Sequence, residues 1–187
     1  MNVAVFCASV NGVESVYFDD ARKLGEAIGS RRWKLVYGGT CVGLMHQVAT
    51  ATMNRGGKAI GVIPECIMSR GVAADGLDEL VVAPDMKERK HLLRTYADAF
   101  VALPGGWGTL EEITEVITLK QLGQHNKPVV FLNTAGFYDG LLDFIAGIRE
   151  KGFVSSVYDK LYFVANSVDE VVGYLENYQS VENVSKY

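Results

Sequence analysis

The sequence predicts a doubly wound parallel α/β sheet flanked by helices on both faces, and two observations support this fold class. Short apolar runs recur along the chain without polar alternation, which is typical of strands covered on both faces. Helical patterns separate these runs throughout, so strand and helix alternate as in successive right-handed βαβ units. The expected architecture is Rossmann-like, with ligands bound at the carboxyl ends of the strands.

Each element follows from a local pattern. Apolar runs predict strands at residues 3–7, 34–37, 59–63, 99–103 and 128–132, and weaker runs predict strands at 80–83 and 161–164. Helical periodicity predicts helices at residues 14–30, 44–55, 86–96, 109–122, 139–151 and 168–178. The segment 66–78 lacks a clear period, so we expect an irregular loop close to the ligand.

Composition predicts one soluble domain with a small ligand. A length of 187 residues, 49% of them apolar, fits one core, so we expect a domain at 1–178 and a polar tail at 179–187. Net charge −4 argues against nucleic acid as a partner, and no apolar run is long enough to span a membrane. Three cysteines without paired spacing predict reduced thiols in the cytoplasm, and the histidines show no metal spacing.

A glycine-rich turn follows one of the predicted strands and opens the next helix. It contains Gly105, Gly106 and Gly108, followed by Thr109. Glycines let the backbone approach a ligand, and unpaired amides at a helix N-terminus together with the Thr109 hydroxyl form an anion site. The alternative is a tight structural turn with Thr109 as N-cap. Trp107 within the turn either stacks on a base or fills core space.

Two further turns at the same predicted edge contain Ser9 and Gly39, and several such turns can share one ligand. Neither matches the G-x-G-x-x-G fingerprint, and the chain contains no G-x-x-x-x-G-K-[ST] motif. A nicotinamide cofactor or a nucleoside triphosphate therefore has no direct support. The absence of a G-x-S-x-G elbow argues against an acyl hydrolase.

Arg89 is predicted to face the interior. A capping-box pattern at Asp85 sets the start of a helix, and Met86, Leu93 and Tyr96 mark its inward stripe, which includes Arg89. An inward guanidinium must find an anion, because an unpaired interior charge costs several kcal/mol. A structural salt bridge, a ligand phosphate and a catalytic carboxylate are all open as its partner.

Three acidic residues crowd the start of the helix that follows the glycine turn: Glu111, Glu112 and Glu115. Acidic side chains there stabilise the helix dipole, which is the ordinary interpretation. A carboxylate beside an anion site also suits glycosidic hydrolysis, because it can stabilise an oxocarbenium-like transition state or accept a proton from water. The pattern alone does not rank the three.

With these motifs the chain resembles the LONELY GUY (LOG) family, the cytokinin riboside 5′-monophosphate phosphoribohydrolases, often mislabelled as lysine decarboxylases. The family motif P-G-G-x-G-T-x-x-E is met at residues 104–112, and its preceding Arg-Lys pair is met at Arg89 and Lys90. The resemblance covers most of the chain apart from the tail. Further similar segments are residues 36–39, 43–45, 61–64 and 121–123.

The resemblance implies that Arg89 and Glu112 are catalytic. It implies hydrolysis of the N-glycosidic bond of AMP or an N6-modified AMP by a homodimer whose sites lie near the dimer interface, without metal or organic cofactor. A nucleotide sensor or carrier of the same fold and an amino-acid decarboxylase are the alternatives, and the latter normally needs a Schiff-base lysine. From the turns and the resemblance together, the expected ligand contacts are Ser9, Gly39, Lys90, Gly105, Gly106, Trp107, Gly108, Thr109, Leu110, Glu111 and Thr118.

The chain departs from the family at several positions. Ala8 replaces the glycine of the usual C-G-S turn, and Thr40 and His46 replace common glycines. Gly71 stands where plant-type members carry a ligand-contacting glutamate. These changes leave the catalytic pair intact and bear on the identity of the base, which is either adenine or an N6-prenylated adenine.

Overall fold

A computed structural model describes residues 1–158 and 160–180, and a single seven-stranded sheet forms its centre. The strands are β1 (Asn2–Phe6), β2 (Lys34–Tyr37), β3 (Lys58–Pro64), β4 (Glu79–Ala83), β5 (Ala99–Ala102), β6 (Val129–Leu132) and β7 (Phe163–Ala165). Their order in the sheet is β4-β3-β2-β1-β5-β6-β7, and every neighbouring pair is parallel. The predicted fold class is confirmed.

A helix follows each strand along the chain. They are α1 (Ser15–Ser30), α2 (Gly43–Asn54), α3 (Glu65–Met68), α4 (Met86–Tyr96), α5 (Trp107–Gln121), α6 (Asp139–Glu150) and α7 (Val168–Glu176). Each predicted strand and helix is present, with ends within two residues of the expected ones. The segment 66–78 is less irregular than predicted, because α3 overlaps its start and Ala73 pairs with Thr40 in an isolated bridge.

Side chains of the strands supply two separate cores. Val3 and Val5 of β1 lie in the core beneath α1, α2 and α7, whereas Ala4 and Phe6 lie in the core beneath α4, α5 and α6. Because successive side chains of a strand point to opposite faces, a strand covered on both faces must be apolar at every position. This explains the continuous apolar runs of the sequence.

The division into a domain at 1–178 and a tail at 179–187 stays a prediction, since residues 181–187 lie outside the described part of the chain. Within the described residues, no helix combines the length and apolar character needed to cross a membrane.

The direction of chain progression reverses between β1 and β5. From β1 the chain builds outward through β2, β3 and β4, then returns to place β5 on the other side of β1. The β1–β5 register pairs Val3 with Ala99 and Phe6 with Ala102, so the residues after both strands emerge side by side. Such a reversal leaves a crevice at the carboxyl edge of the sheet, where ligands bind in doubly wound folds.

Candidate active site

A cavity of about 390 Å³ occupies this crevice. Its wall combines the segment after β1, the segment after β2 and the first turns of α4 and α5. The residues on the wall that bear on its chemistry are Cys7, Ser9, Gly38, Arg89, Thr109 and Glu112.

The N-terminus of α5 forms one end of the cavity. Gly106 is its N-cap residue, in an extended conformation, and no side chain among residues 1–158 and 160–180 caps the helix there. The first backbone bond of the helix runs from the Leu110 amide to the Gly106 carbonyl at 3.1 Å. The amides of Trp107, Gly108 and Thr109 precede that bond and are available to an anion, with the helix dipole favouring negative charge.

One interpretation that the sequence left open is excluded for each of two residues in this turn. Thr109 is not the N-cap, because the helix begins two residues earlier than predicted and buries Thr109 within its first turn. Trp107 does not fill core space, because it is 88% exposed and lies at the cavity mouth.

The glycines of the turn differ in what requires them. A Cβ at Gly105 would collide with Thr109 Oγ1 and lie 2.7 Å from Thr109 Cβ, so internal packing excludes a side chain there. A Cβ at Gly106 or Gly108 would meet nothing within 4 Å, and neither residue has a positive φ. Both line the cavity, so their lack of a side chain leaves the adjoining amides open to a ligand.

Arg89 and Glu112 form a buried ion pair in the wall of the cavity. Arg89 Nη1 donates to Glu112 Oε1 at 2.5 Å, and Arg89 Nε donates to the Val62 carbonyl at 3.2 Å. The two residues are 7% and 5% exposed. The predicted inward orientation of Arg89 is therefore confirmed, and its partner is the carboxylate of Glu112 rather than that of Glu111 or Glu115.

Burial also sets the protonation of the groups around this pair. It raises the pKa of Glu112, and the Arg89 guanidinium counteracts only part of that effect. Burial and the charge of Glu112 both raise the pKa of the Cys7 thiol, so Cys7 is a neutral part of the wall and not a thiolate nucleophile. A carboxylate with a raised pKa is a better proton acceptor than an ordinary one.

Gly38, which is not among the predicted ligand contacts, makes room for the guanidinium. A Cβ there would lie 2.7 Å from Arg89 Nη2 and 2.8 Å from Met45 Sδ. Gly39, which is one of the predicted ligand contacts, has φ +74° and packs toward Ile63 and Leu80 instead of lining the cavity. The two adjacent glycines after β2 indicated a ligand site in the sequence. Only the course of the backbone shows that Gly38, and not Gly39, lines the cavity.

The expected inward stripe of α4 is wrong at one position. Met86 is 44% exposed, whereas Leu93 is buried and Tyr96 is half-buried. Met86 is the first residue of α4 and lies at the cavity mouth, while Leu93 packs two turns further along against the core. The predicted start of α4 at Asp85 is confirmed, since the Asp85 carboxylate accepts a hydrogen bond from the Glu88 amide.

Not all expected ligand contacts line the cavity. Besides Arg89 and Glu112, those that do are Ser9, Gly106, Trp107, Gly108 and Thr109. Those that do not are Gly39, Lys90, Gly105, Leu110, Glu111 and Thr118. Lys90 pairs with Glu111 and with Glu115, and the exposed Thr118 donates to the Thr114 carbonyl. Contacts of these residues with a ligand stay predictions.

Part of the cavity wall is apolar. It is formed by Val10, Met45, Pro64, Ile67 and Met86. Ile67 belongs to the segment that follows β3, which was expected to lie close to the ligand. The cavity thus has an anion-binding end, a buried charged pair and an apolar side, which suits a molecule with a phosphate at one end and a flat ring at the other.

Other features of the described residues offer no comparable site. A groove of about 560 Å³ beside α1 and α7 is larger, but most of its charged residues already form ion pairs, for example Lys23 with Asp20 and Arg55 with Glu26. No group of three or more His, Cys, Asp or Glu within residues 1–158 and 160–180 could hold a metal ion.

Comparison with known proteins shows where the chain belongs. Residues 45–175 match a family model described as "Possible lysine decarboxylase". The chain is 44% identical over 176 residues to cytokinin riboside 5′-monophosphate phosphoribohydrolase LOG1 of Arabidopsis thaliana, covering 94% of this chain and 83% of that protein. It is also 44% identical over 179 residues to the probable cytokinin riboside 5′-monophosphate phosphoribohydrolase LOGL9 of rice (Oryza sativa subsp. japonica). That match covers 96% of this chain and 79% of the rice protein.

A solved structure shares the fold at lower identity. The Moco carrier protein from Chlamydomonas reinhardtii superposes with a TM-score of 0.70 at 23% identity, covering 94% of each chain. That likeness concerns the fold alone. The extent of the sequence identity decides the family: the chain belongs to the LONELY GUY family.

Proposed function

We propose that this protein hydrolyses the N-glycosidic bond of a nucleoside 5′-monophosphate, AMP or an N6-modified AMP. Water adds to C1′ of the ribose, the bond from C1′ to the base breaks, and free base and ribose 5-phosphate are released. The names of the Arabidopsis and rice relatives support this substrate class. The observation that carries the proposal is the buried Arg89–Glu112 pair in the same cavity as an uncapped helix N-terminus.

The phosphate is assigned to the N-terminus of α5. The amides of Trp107, Gly108 and Thr109 supply donors, and Gly106 and Gly108 leave the approach open. The Ser9 side chain from the segment after β1 lines the same cavity. Phosphate binding at this end would fix the nucleotide relative to the ion pair, which converts binding energy into orientation of the reacting bond.

Glu112 is assigned to the reacting centre. Its carboxylate can stabilise positive charge that develops on the ribose ring and can orient and deprotonate the attacking water. Arg89 holds that carboxylate through the 2.5 Å contact and is itself fixed by the Val62 carbonyl. A guanidinium beside the base would also ease its departure as electrons move onto it.

The rival activities predict different products. A nucleotide sensor or carrier would bind AMP without cleaving it. A decarboxylase would release carbon dioxide from lysine, but no lysine is among the described residues that line the cavity. Purified protein should therefore be incubated with AMP, with its N6-isopentenyl derivative and with lysine. We expect free base and ribose 5-phosphate from a nucleotide, and binding without base release, or carbon dioxide from lysine, would overturn the proposal.

Two alanine variants separate packing from ligand approach. Gly105→Ala should destabilise the fold by about 1–3 kcal/mol, because its Cβ would collide with Thr109.

Gly108→Ala should keep or slightly raise the stability of the protein, since alanine favours the helix. It should nevertheless raise the KM for AMP, because the added methyl group would crowd the phosphate. Urea unfolding and initial rates measure both. An unchanged KM in Gly108→Ala would move the phosphate away from this turn.

We further propose that the protein is a cytoplasmic homodimer. Trp107 and Met86 are exposed apolar side chains beside the cavity mouth, and exposed apolar patches mark interaction surfaces. Its three cysteines are free, which suits a reducing compartment. Light scattering should give twice the chain mass of 20.4 kDa, with Trp107→Glu shifting the protein toward monomer. Phe153→Glu, at another exposed aromatic, is the matched control, and a monomeric wild type would contradict the proposal.

A further inference from the structure

We propose that Tyr138 is a positioning residue that holds the phosphate-binding turn in place, an inference that rests on the proposed function. Tyr138 lies just before α6 and does not line the cavity. Its hydroxyl donates to the Leu103 carbonyl at 2.7 Å. Leu103 immediately precedes Pro104 and Gly105, so this bond acts on the backbone where the turn begins.

The Tyr138 hydroxyl gives the Leu103 carbonyl a hydrogen-bond donor that the β5–β6 pairing does not provide. The β5–β6 pairing ends with Ala102 opposite Phe131, and the Leu103 carbonyl lies beyond that last pair. Leu103 is completely buried, so water cannot replace a lost donor at low cost. Burial raises the pKa of the Tyr138 hydroxyl, which keeps it protonated and able to donate.

Tyr138 is itself held firmly. Its backbone amide donates to Asn133 Oδ1 at 2.7 Å, and Asn133 Nδ2 donates to Asp139 Oδ1 at 2.7 Å. The ring is 1% exposed and packs edge-on against Phe131 and Phe137, each with ring centroids 4.9 Å away. Because hydrogen bonds and ring contacts fix the Tyr138 side chain, its hydroxyl can hold the Leu103 carbonyl in one position.

The turn is therefore held from two sides. On the β1 side, the Leu103 amide donates to the Phe6 carbonyl at 2.9 Å and the Ala8 amide donates to the Pro104 carbonyl at 3.1 Å. On the β6 side, Tyr138 supplies the bond to Leu103. Without that bond, the backbone at Leu103 and Pro104 keeps only its hydrogen bonds to the β1 side, and we expect the amides that follow to lose the fixed geometry that a phosphate requires.

Tyr138→Phe tests the role, with Tyr37→Phe as the matched control. Phenylalanine keeps the ring packing and removes only the hydroxyl. Tyr37 is also fully buried, but its hydroxyl has no hydrogen-bond partner within the described residues, so its loss leaves no orphaned acceptor. Titration calorimetry should measure the affinity of each protein for ribose 5-phosphate and for adenine, and initial rates should give kcat and KM for AMP.

We expect Tyr138→Phe to weaken ribose 5-phosphate binding about tenfold, to raise the KM for AMP similarly and to leave adenine affinity nearly unchanged. Tyr37→Phe should match the wild type in its affinity for ribose 5-phosphate, its KM for AMP and its affinity for adenine. Equal weakening of both ligands, wild-type ribose 5-phosphate affinity in Tyr138→Phe, or no binding of ribose 5-phosphate by the wild type would each overturn the inference. A wild type that binds ribose 5-phosphate through Tyr138 but releases no base from AMP would instead refute the proposed function alone.

Discussion

Glu112→Gln is expected to reduce the release of base from AMP by at least about 10²-fold while the protein still folds. The substitution removes the negative charge that stabilises a developing oxocarbenium and the group that accepts a proton from water. It keeps the shape of the side chain and one oxygen that can accept from Arg89 Nη1, so the guanidinium is not stranded. Initial rates of base release measure the first effect, and urea unfolding measures the second.

Glu115→Gln is the matched control for this change. Glu115 lies on the same helix and also pairs with an arginine, Arg94, but its side chain is 30% exposed and does not line the cavity. We expect this variant to turn over AMP at close to the wild-type rate, because Glu115 lies outside the cavity lining. Near-wild-type base release by Glu112→Gln would remove Glu112 from the mechanism, whatever the control shows.

The fold could be predicted from the sequence because its central strands are covered on both faces. Every position of such a strand is apolar, so runs such as the one at β6 stand out in composition, and alternation with helices leaves little choice of topology. The short helix α3 was missed for the opposite reason. It has four residues, none of them buried, so it shows no apolar period.

The candidate site could be predicted from the sequence only in part. Periodicity was enough to predict that Arg89 faces inward, but its partner depends on where the fold places α5 relative to α4, which only the packed structure defines. Likewise, the adjacent Gly38 and Gly39 are alike in sequence, and backbone direction alone decides that Gly38 faces the guanidinium. Family resemblance selected Glu112 from three acids, and burial gives the physical reason for that selection, since Glu112 is the buried one.

Tyr138 shows a further limit. It acts across 35 residues of sequence through one hydroxyl and one carbonyl, and a tyrosine at a helix start carries no pattern that predicts such a contact. Contacts between a side chain and a distant backbone group are set by tertiary packing. They are invisible to periodicity and to motif spacing alike.

Arg89→Met is expected to cost both activity and stability, and the stability loss should depend on pH. Without the guanidinium, Glu112 stays buried with nothing of comparable strength to offset its burial, so its pKa rises further. A native carboxyl with a pKa above its unfolded value binds protons that the unfolded chain has already released. Stability therefore falls as pH rises from the unfolded pKa through the native one. We expect a penalty of about 3 kcal/mol at neutral pH and a smaller one near pH 5.

Urea unfolding at both pH values, for four proteins, tests this coupling. Arg89→Met with Glu112→Gln should recover much of the stability lost by Arg89→Met alone, because it removes the unpaired charge, and should lose the pH trend. Base release should stay at least about 10²-fold below wild type in both, since each lacks the guanidinium. Arg94→Met, which breaks the more exposed pair with Glu115, should cost less than about 1 kcal/mol at either pH. If Arg89→Met lost the same stability at both pH values, or the double variant were no more stable than the single one, Glu112 would not be the anion that keeps Arg89 in the cavity wall.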